Sequence, residues 1–256
     1  MHPERIRPTE DELARARRIA TDVTFETSDG LRLRGDFVAP RNGVVVVLVH
    51  ALGTNRMHFL FEAEMLARHG YGALFYDGRA HGESDGDVST WGQDEQRDVE
   101  AAVGYALAHG ASRVATLGFS IGSTAVLLEA AHDPRVGAVL VEAIWPSLEE
   151  EIADKAGGRG WLSRAPVVLA MKRAGVDFAE VRVIDHLAAL GSRPKLFIEG
   201  TADHDTPVAV NQRVVDAAPE PKELWLAPGA QHGGYAEVAP AEYERVVIDF
   251  LDRAFR

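Results

Sequence analysis

Six short apolar runs constrain the fold of this chain more than any other feature. They lie at residues 44–49, 73–76, 113–118, 136–141, 195–200 and 223–227. None of them alternates apolar with polar residues, so each suits a strand that is buried on both faces of a sheet. Helical stretches, such as residues 57–69 and 91–109, separate several of the runs and end before a glycine. This alternation predicts an α/β fold with a mostly parallel central sheet and helices on both faces.

Three further segments complete the predicted architecture. A capping box at residues 9–12 predicts a short helix that ends at about residue 20. Residues 23–37 alternate around the turn residues Asp29 and Gly30, which predicts an N-terminal antiparallel hairpin. Residues 143–190 have no strand pattern, but they contain a second capping box at Ser147 and a Gly-rich break at 157–161. We therefore expect residues 1–256 to form a single domain, with 143–190 as a helical cap insertion over the strand ends.

Composition limits the partners of this chain. Its 27 Lys and Arg against 39 Asp and Glu give a net charge of −12, which disfavours binding to nucleic acid or to an anionic membrane. It has no cysteine, so a thiolate nucleophile and a cysteine zinc site are excluded. The charged N-terminus and the lack of a long apolar run predict no signal peptide, no membrane span and a cytoplasmic location. The oligomeric state stays open.

Residues 118–122, GFSIG, raise the question of an activated serine. They match the G-x-S-x-G nucleophile elbow, in which a strained turn between a strand and a helix exposes the serine hydroxyl. Five residues alone are a weak signal, and an ordinary strand-to-helix turn is the alternative. The context is more specific, because a buried run precedes Ser120 and helical residues 123–132 follow it. A nucleophile also needs a base, an acid and an oxyanion site.

Candidates for the base and the acid occupy loops after the later core runs. Functional groups gather at the carboxyl ends of parallel strands, where His232 follows the last run. Asp203 and Asp205 both follow the fifth run, and either gives the chain order Ser, Asp, His. Thr206 and the proline after it predict a helix start with Thr206 as N-cap, so the helix dipole explains Asp205. Asp203 is therefore the predicted acid, with Glu142, at the end of another strand, as a more remote candidate.

The oxyanion site and the substrate pocket are predicted from neighbouring loops. The backbone N–H groups of Ile121 and Leu52 are the expected oxyanion donors. His50, in the same loop as Leu52, is expected to brace that loop by hydrogen bonding. Trp145 follows a core strand and is expected to line an acyl pocket, whereas Trp161 is expected to pin the cap to the core.

These motifs together resemble the α/β-hydrolase superfamily from about residue 23 onward. The resemblance is carried by VLVHALG, DGRAHGES, GFSIGS, EGTADHDTP and GAQHGG, in that order. The N-terminal hairpin and the short cap are similar to the branch of serine hydrolases related to the serine aminopeptidases. The chain departs from the family pattern at Ala51 and Ala80, where a glycine is usual. The resemblance implies that Ser120, His232 and Asp203 form a catalytic triad.

The implied reaction is hydrolysis of a carboxylic ester with a small or medium acyl group through an acyl-enzyme. A serine nucleophile, rather than an aspartate, points away from epoxide hydrolases and haloalkane dehalogenases. The resemblance implies a small-molecule acyl substrate, no metal and no organic cofactor. A thioesterase, a peptidase or an acyltransferase would use the same triad, because the pocket selects the leaving group. A non-catalytic binding scaffold of the same fold is the alternative from a different class.

Overall fold

One twisted sheet organises the molecule. The computed structural model describes residues 2–156 and 161–256, with the side chains of 161–163 left aside, and within these ranges it has eight strands. They are β1 (Thr21–Glu26), β2 (Arg32–Val38), β3 (Val44–Val49), β4 (Gly72–Tyr76), β5 (Arg113–Phe119), β6 (Val136–Glu142), β7 (Lys195–Gly200) and β8 (Lys222–Ala227). Their order is β1-β2-β4-β3-β5-β6-β7-β8. The β1–β2 and β2–β4 pairs are antiparallel and the others are parallel, which confirms the predicted sheet and hairpin.

Helices cover both faces of the sheet. They are α1 (Glu10–Ala16), α2 (Leu60–Arg68), α3 (Glu95–Ala108), α4 (Ile121–His132), α5 (Leu148–Lys155), α6 (Trp161–Arg173), α7 (Val183–His186), α8 (Val208–Ala217), α9 (Tyr235–Val238) and α10 (Pro240–Ala254). Two 3₁₀ helices span Arg56–Phe59 and Leu187–Leu190. In the described part of the chain, no helix has both the length and the apolar character of a membrane span.

The apolar runs of β3 to β7 are buried on both sides, as their lack of alternation predicts. The prediction is wrong for the run in β8, because this strand lies at the sheet edge and leaves Leu226 37% exposed. In β3, Val46 and Leu48 pack into a core layer with α2 and α10. Val45 and Val47 point the other way, into a layer with α3, α4 and α8. Because both layers exclude water, every position of this strand contributes apolar burial and none needs a polar side chain.

The strand register aligns the loops that carry the candidate site. Val49, which ends β3, is in register with Tyr76 and Gly118, and Phe119 at the end of β5 faces Glu142 of β6. Gly200 at the end of β7 is paired with Ala227 of β8. The loops after these strands therefore open at one edge of the sheet.

Helix boundaries differ from the sequence predictions at three places. The capping box at Thr9 is present, but α1 ends at Ala16 instead of near residue 20. The helix predicted for residues 57–69 begins as the 3₁₀ turn before α2. The helix predicted from Trp91 begins at Glu95, because the Glu95 carboxylate accepts hydrogen bonds from the turn before it, including the Gly92 N–H at 2.9 Å.

Helices and turns occupy the described part of residues 143–190. The Ser147 hydroxyl caps α5 by accepting from the Glu150 N–H at 3.3 Å. A small apolar cluster joins α5 and α6 to Leu128 on α4. The Trp91 indole also donates to Glu151 on α5 at 2.9 Å, which ties this segment to the turn before α3. The Gly-rich break at 157–160 and the side chain of Trp161 lie outside the described residues.

Candidate active site

Ser120 stands on a sharp turn between β5 and α4. Its backbone has φ 55° and ψ −116°, a conformation that side-chain-bearing residues rarely adopt. The Ser120 N–H donates to the Glu142 carbonyl at 2.9 Å, and the Ser123 hydroxyl lies 2.6 Å from the Gly118 carbonyl oxygen. These hydrogen bonds hold the strained turn in place. Ser120 is partly exposed there, directly after the carboxyl end of β5.

The two flanking glycines are required by close packing of the backbone. A Cβ atom on Gly122 would lie 2.0 Å from the Val49 carbonyl oxygen, and one on Gly118 would lie 2.3 Å from the Gly122 carbonyl oxygen. Both contacts are with backbone, which cannot rotate away. Larger residues would therefore displace α4 from the sheet and move Ser120 with it.

His232 lies between Ser120 and Asp203. Its Nε2 is 3.3 Å from the Ser120 Oγ, and its Nδ1 is 2.9 Å from the Asp203 Oδ2. The Asp203 side chain is fully buried, whereas 26% of the His232 side chain is exposed. The Phe119 ring packs against the imidazole with 4.9 Å between ring centroids. The structure thus brings together the three residues that the sequence singled out, in an order that allows a proton to pass from the serine to the histidine.

Asp203 is held by its own loop. Its Oδ1 accepts from the N–H groups of Asp205 and Thr206, both at 2.7 Å. Burial alone would raise the pKa of Asp203, but the hydrogen bonds from His232 and the Thr206 N–H outweigh it and lower the pKa. The side chain is therefore an anion that faces Nδ1, so Nδ1 carries a proton and Nε2 is free to accept one.

The two alternative acids, Asp205 and Glu142, lie in environments that differ from that of Asp203. Asp205 is exposed, and the predicted helix cap beside it is wrong: Pro207, not Thr206, precedes α8. Thr206 donates its N–H to Asp203, and its hydroxyl has no hydrogen-bond partner among the described residues, so it does not cap α8. Glu142 is buried, and its carboxylate accepts from the Tyr243 hydroxyl at 2.7 Å.

Three side chains at this site also bring atoms of the metal-ligating type close together. One atom each from Asp203, Asp205 and His232 lies within 4.8 Å of the others. The Asp203 carboxylate already accepts three hydrogen bonds, from His232 and from two backbone N–H groups. These hydrogen bonds account for the position of Asp203 without a cation.

The predicted oxyanion donors lie on two elements at the same edge of the sheet. Ile121 is the first residue of α4, and Leu52 belongs to the loop after β3. Within residues 2–156 and 161–256, neither backbone N–H donates to a loop, turn or side-chain acceptor. The assignment of these two N–H groups as oxyanion donors stays a prediction.

Two buried histidines brace the loop that carries Leu52. The His50 Nδ1 lies 2.7 Å from the Ala51 carbonyl oxygen and its Nε2 accepts from the Gly78 N–H at 3.0 Å, as expected for a brace. His81 accepts from the Gly53 N–H at 3.1 Å. Burial lowers the pKa of His50 to about 3, so its ring stays neutral and keeps both hydrogen bonds. Sequence reasoning missed His81, although His81 lies within the DGRAHGES motif.

A buried ion cluster fixes the other end of the same loop. The Arg56 guanidinium is 2.8 Å from Asp36 and 2.5 Å from Asp77, and all three side chains are almost fully buried. The Arg56 N–H also donates to Asp77 at 2.8 Å. The loop after β3 is therefore joined to β2 and to the loop after β4.

Trp145 and His58 lie at the margin of the site. The Trp145 indole is 8% exposed and donates to the Asp205 carbonyl at 3.2 Å. This contact places the ring against the loop that carries Asp203. His58 stacks on Phe119 with 5.0 Å between ring centroids, and no sequence motif marks it. Only the fold brings it next to the ring that supports His232.

The chain belongs to the alpha/beta hydrolase family, whose family model matches residues 46–252. Among relatives, protein YfhR of Escherichia coli K12 is 25% identical over 242 residues, which cover 91% of this chain and 80% of YfhR. Protein YqkD of Bacillus subtilis is 25% identical, with 91% and 79% covered. The esterase Pf2001 of Pyrococcus furiosus has a similar structure, with a TM-score of 0.80, 22% identity and 98% of both chains covered.

Proposed function

We propose that this member of a hydrolase family is a serine esterase that uses Ser120, His232 and Asp203. The carrying observation is the continuous hydrogen-bonded chain from the Ser120 Oγ through the imidazole to the buried Asp203. The structurally similar Pyrococcus furiosus protein is an esterase, which supports the same class of reaction.

The geometry supports acyl transfer in two stages, formation of an acyl-enzyme and its hydrolysis. The Ser120 oxygen attacks the ester carbonyl while His232 Nε2 takes its proton, and Asp203 stabilises the imidazolium that forms. The carbonyl oxygen becomes an oxyanion that accepts from the N–H groups of Leu52 and Ile121. His232 then gives the proton to the departing alcohol, which leaves an acyl group on Ser120. Water, activated by the same histidine, attacks this acyl-enzyme and releases the acid.

The proposed substrate class rests on Trp145 and on the net charge of the chain. Trp145, held against the Asp205 carbonyl, would close the acyl side of the site with a rigid indole. A site of this kind favours small or medium acyl groups over long lipids. The net charge of −12 favours neutral esters over strongly anionic substrates such as acyl-CoA.

A panel of acyl donors tests the proposal. We expect p-nitrophenyl acetate or butyrate to have a higher kcat/KM than the palmitate ester, and the oxygen ester to exceed the matched thioester and anilide. Ser120→Ala is the control and should lower kcat by about 10³-fold or more. EDTA should leave the rate unchanged. Preferred thioester or anilide cleavage, or transfer to an added alcohol in place of water, would reassign the leaving group or acceptor; turnover that survives Ser120→Ala would refute the proposal.

A further inference from the structure

A second carboxyl group lies directly behind the proposed triad. Glu199, in β7, is fully buried, and its side chain contacts the carboxyl of Asp203. Its Oε1 accepts from the Gly200 N–H at 3.1 Å, whereas its Oε2 has no donor among the described residues. Asn211 on α8, which is 1% exposed, contacts the same carboxyl. Two acids thus share one buried site.

Two adjacent buried carboxylates cannot both be ionised at moderate cost, so one of them holds a proton. Asp203 accepts three hydrogen bonds at 2.7–2.9 Å, one of them from His232. Glu199 accepts a single backbone hydrogen bond. The better-solvated anion is Asp203, and the proton belongs on Glu199.

We propose that Glu199 is a positioning residue that works in its protonated form and donates from Oε2 to the Asp203 carboxylate. The inference rests on the proposed function, since it concerns the acid of that triad. The donated hydrogen bond occupies the acceptor position of Asp203 that neither the loop N–H groups nor His232 uses. Because hydrogen bonds then hold both of its oxygens, the Asp203 carboxylate keeps Oδ2 directed at the His232 Nδ1.

The charge environment supports this protonation state. Burial and the neighbouring Asp203 both raise the pKa of Glu199, to about 9. The titratable groups that face it are Asp203 itself, His232 beyond it, and the buried Tyr235 hydroxyl at the start of α9. The contact with Asn211 supplies no cation. No basic side chain in the described contacts of Glu199 therefore favours its ionised form.

Two substitutions separate this role from simple packing. Glu199→Gln keeps the shape and a neutral donor, whereas Glu199→Leu removes the donor. We expect Glu199→Leu to lower kcat about 10- to 100-fold, the range for losing a hydrogen bond to a charged group. We expect Gln to recover most of that loss. Glu129→Gln, a buried acid on α4 away from the triad, is the matched control for changing a buried carboxyl.

The pH profile gives a readout that packing would not move. Wild-type kcat should fall as pH rises through about 9, where Glu199 ionises next to Asp203, and Glu199→Gln should lack this alkaline limb. If Glu199→Leu does not fold, the comparison of the wild-type and Glu199→Gln pH profiles alone decides whether Glu199 has this role. An alkaline limb that persists in Glu199→Gln, a Gln variant as impaired as Leu, or a Leu variant equal to wild type would overturn the inference. Fluorophosphonate labelling of wild-type Ser120 is scored separately, so failure of the proposed triad is recognised as such.

Discussion

Replacing Asp203 by Asn tests the most specific geometric relation in the site. The Asn carbonyl oxygen can keep the two backbone N–H donors that Oδ1 accepts at 2.7 Å. Its amide group then faces the His232 Nδ1 as a donor. The imidazole must accept there and carry its proton on Nε2, where it can no longer take the proton of Ser120.

The magnitude follows from this tautomer change. A triad with the wrong histidine tautomer loses about 10⁴ in kcat, which at 1.36 kcal/mol per factor of ten is about 5.4 kcal/mol of transition-state stabilisation. Stability changes less. Two charge-assisted hydrogen bonds of about 1.5–3 kcal/mol each become neutral bonds of about 0.5–1.5 kcal/mol, a loss of about 2.5 kcal/mol. That loss corresponds to a Tm decrease of about 5–10 °C.

The assay compares Asp203→Asn with Asp205→Asn on the same short-chain ester. Asp205 is exposed, and its link to Trp145 uses the backbone carbonyl, which the substitution leaves in place. We expect the control to change kcat less than about twofold and Tm by less than about 2 °C. The reasoning is refuted if Asp203→Asn retains more than about a tenth of the activity, or if the Asp205 variant is impaired as much.

Three further predictions concern specificity, folding and pH. Trp145→Ala should move the preference of an ester series toward longer acyl chains, by up to about 0.8 kcal/mol per accommodated methylene; an unchanged profile would contradict the pocket. Arg56→Met leaves Asp36 and Asp77 buried without their cation and should cost about 3–5 kcal/mol in urea unfolding, whereas a change below about 1 kcal/mol would contradict it. Burial raises the pKa of Glu142 to about 8, so its folded form stays protonated where the unfolded form ionises. The free energy of unfolding should therefore fall between about pH 4.5 and 8, by up to about 1.36 kcal/mol per pH unit, and Glu142→Gln should reduce that slope.

The sheet could be predicted from the sequence because its strands are marked by local composition. Five of the six apolar runs, such as residues 44–49, are buried on both faces, and no tertiary information is needed to read them. The run at 223–227 has the same composition, and only the strand order shows that it lies at an edge. The elbow at Ser120 was equally readable, because a strained turn between close-packed elements demands glycine at positions 118 and 122, two residues before and two after the serine. The hydrogen-bonding distance between His232 and Ser120 follows from the register that aligns the strand ends.

Features that depend on contacts between distant loops could not be predicted. Thr206 looked like a helix cap because capping is a local rule, yet α8 begins after Pro207 and the Thr206 hydroxyl has no hydrogen-bond partner among the described residues. Nothing local marks His81 as the acceptor for the Gly53 N–H, 28 residues away. Glu199 is the next-to-last residue of an apolar run, and no local feature marks it as functional. Only the packing of β7 against α8 shows that it shares a buried site with Asp203.

Covalent labelling of the serine tests the central claim most directly. A fluorophosphonate probe reacts with a serine that a neighbouring base has activated, and mass spectrometry then locates the phosphonyl group. We predict one label per chain, on the peptide that contains Ser120, with none in Ser120→Ala and much slower labelling in His232→Ala. A label on any other residue, or one that persists in folded Ser120→Ala, would contradict the assignment of Ser120 as the nucleophile.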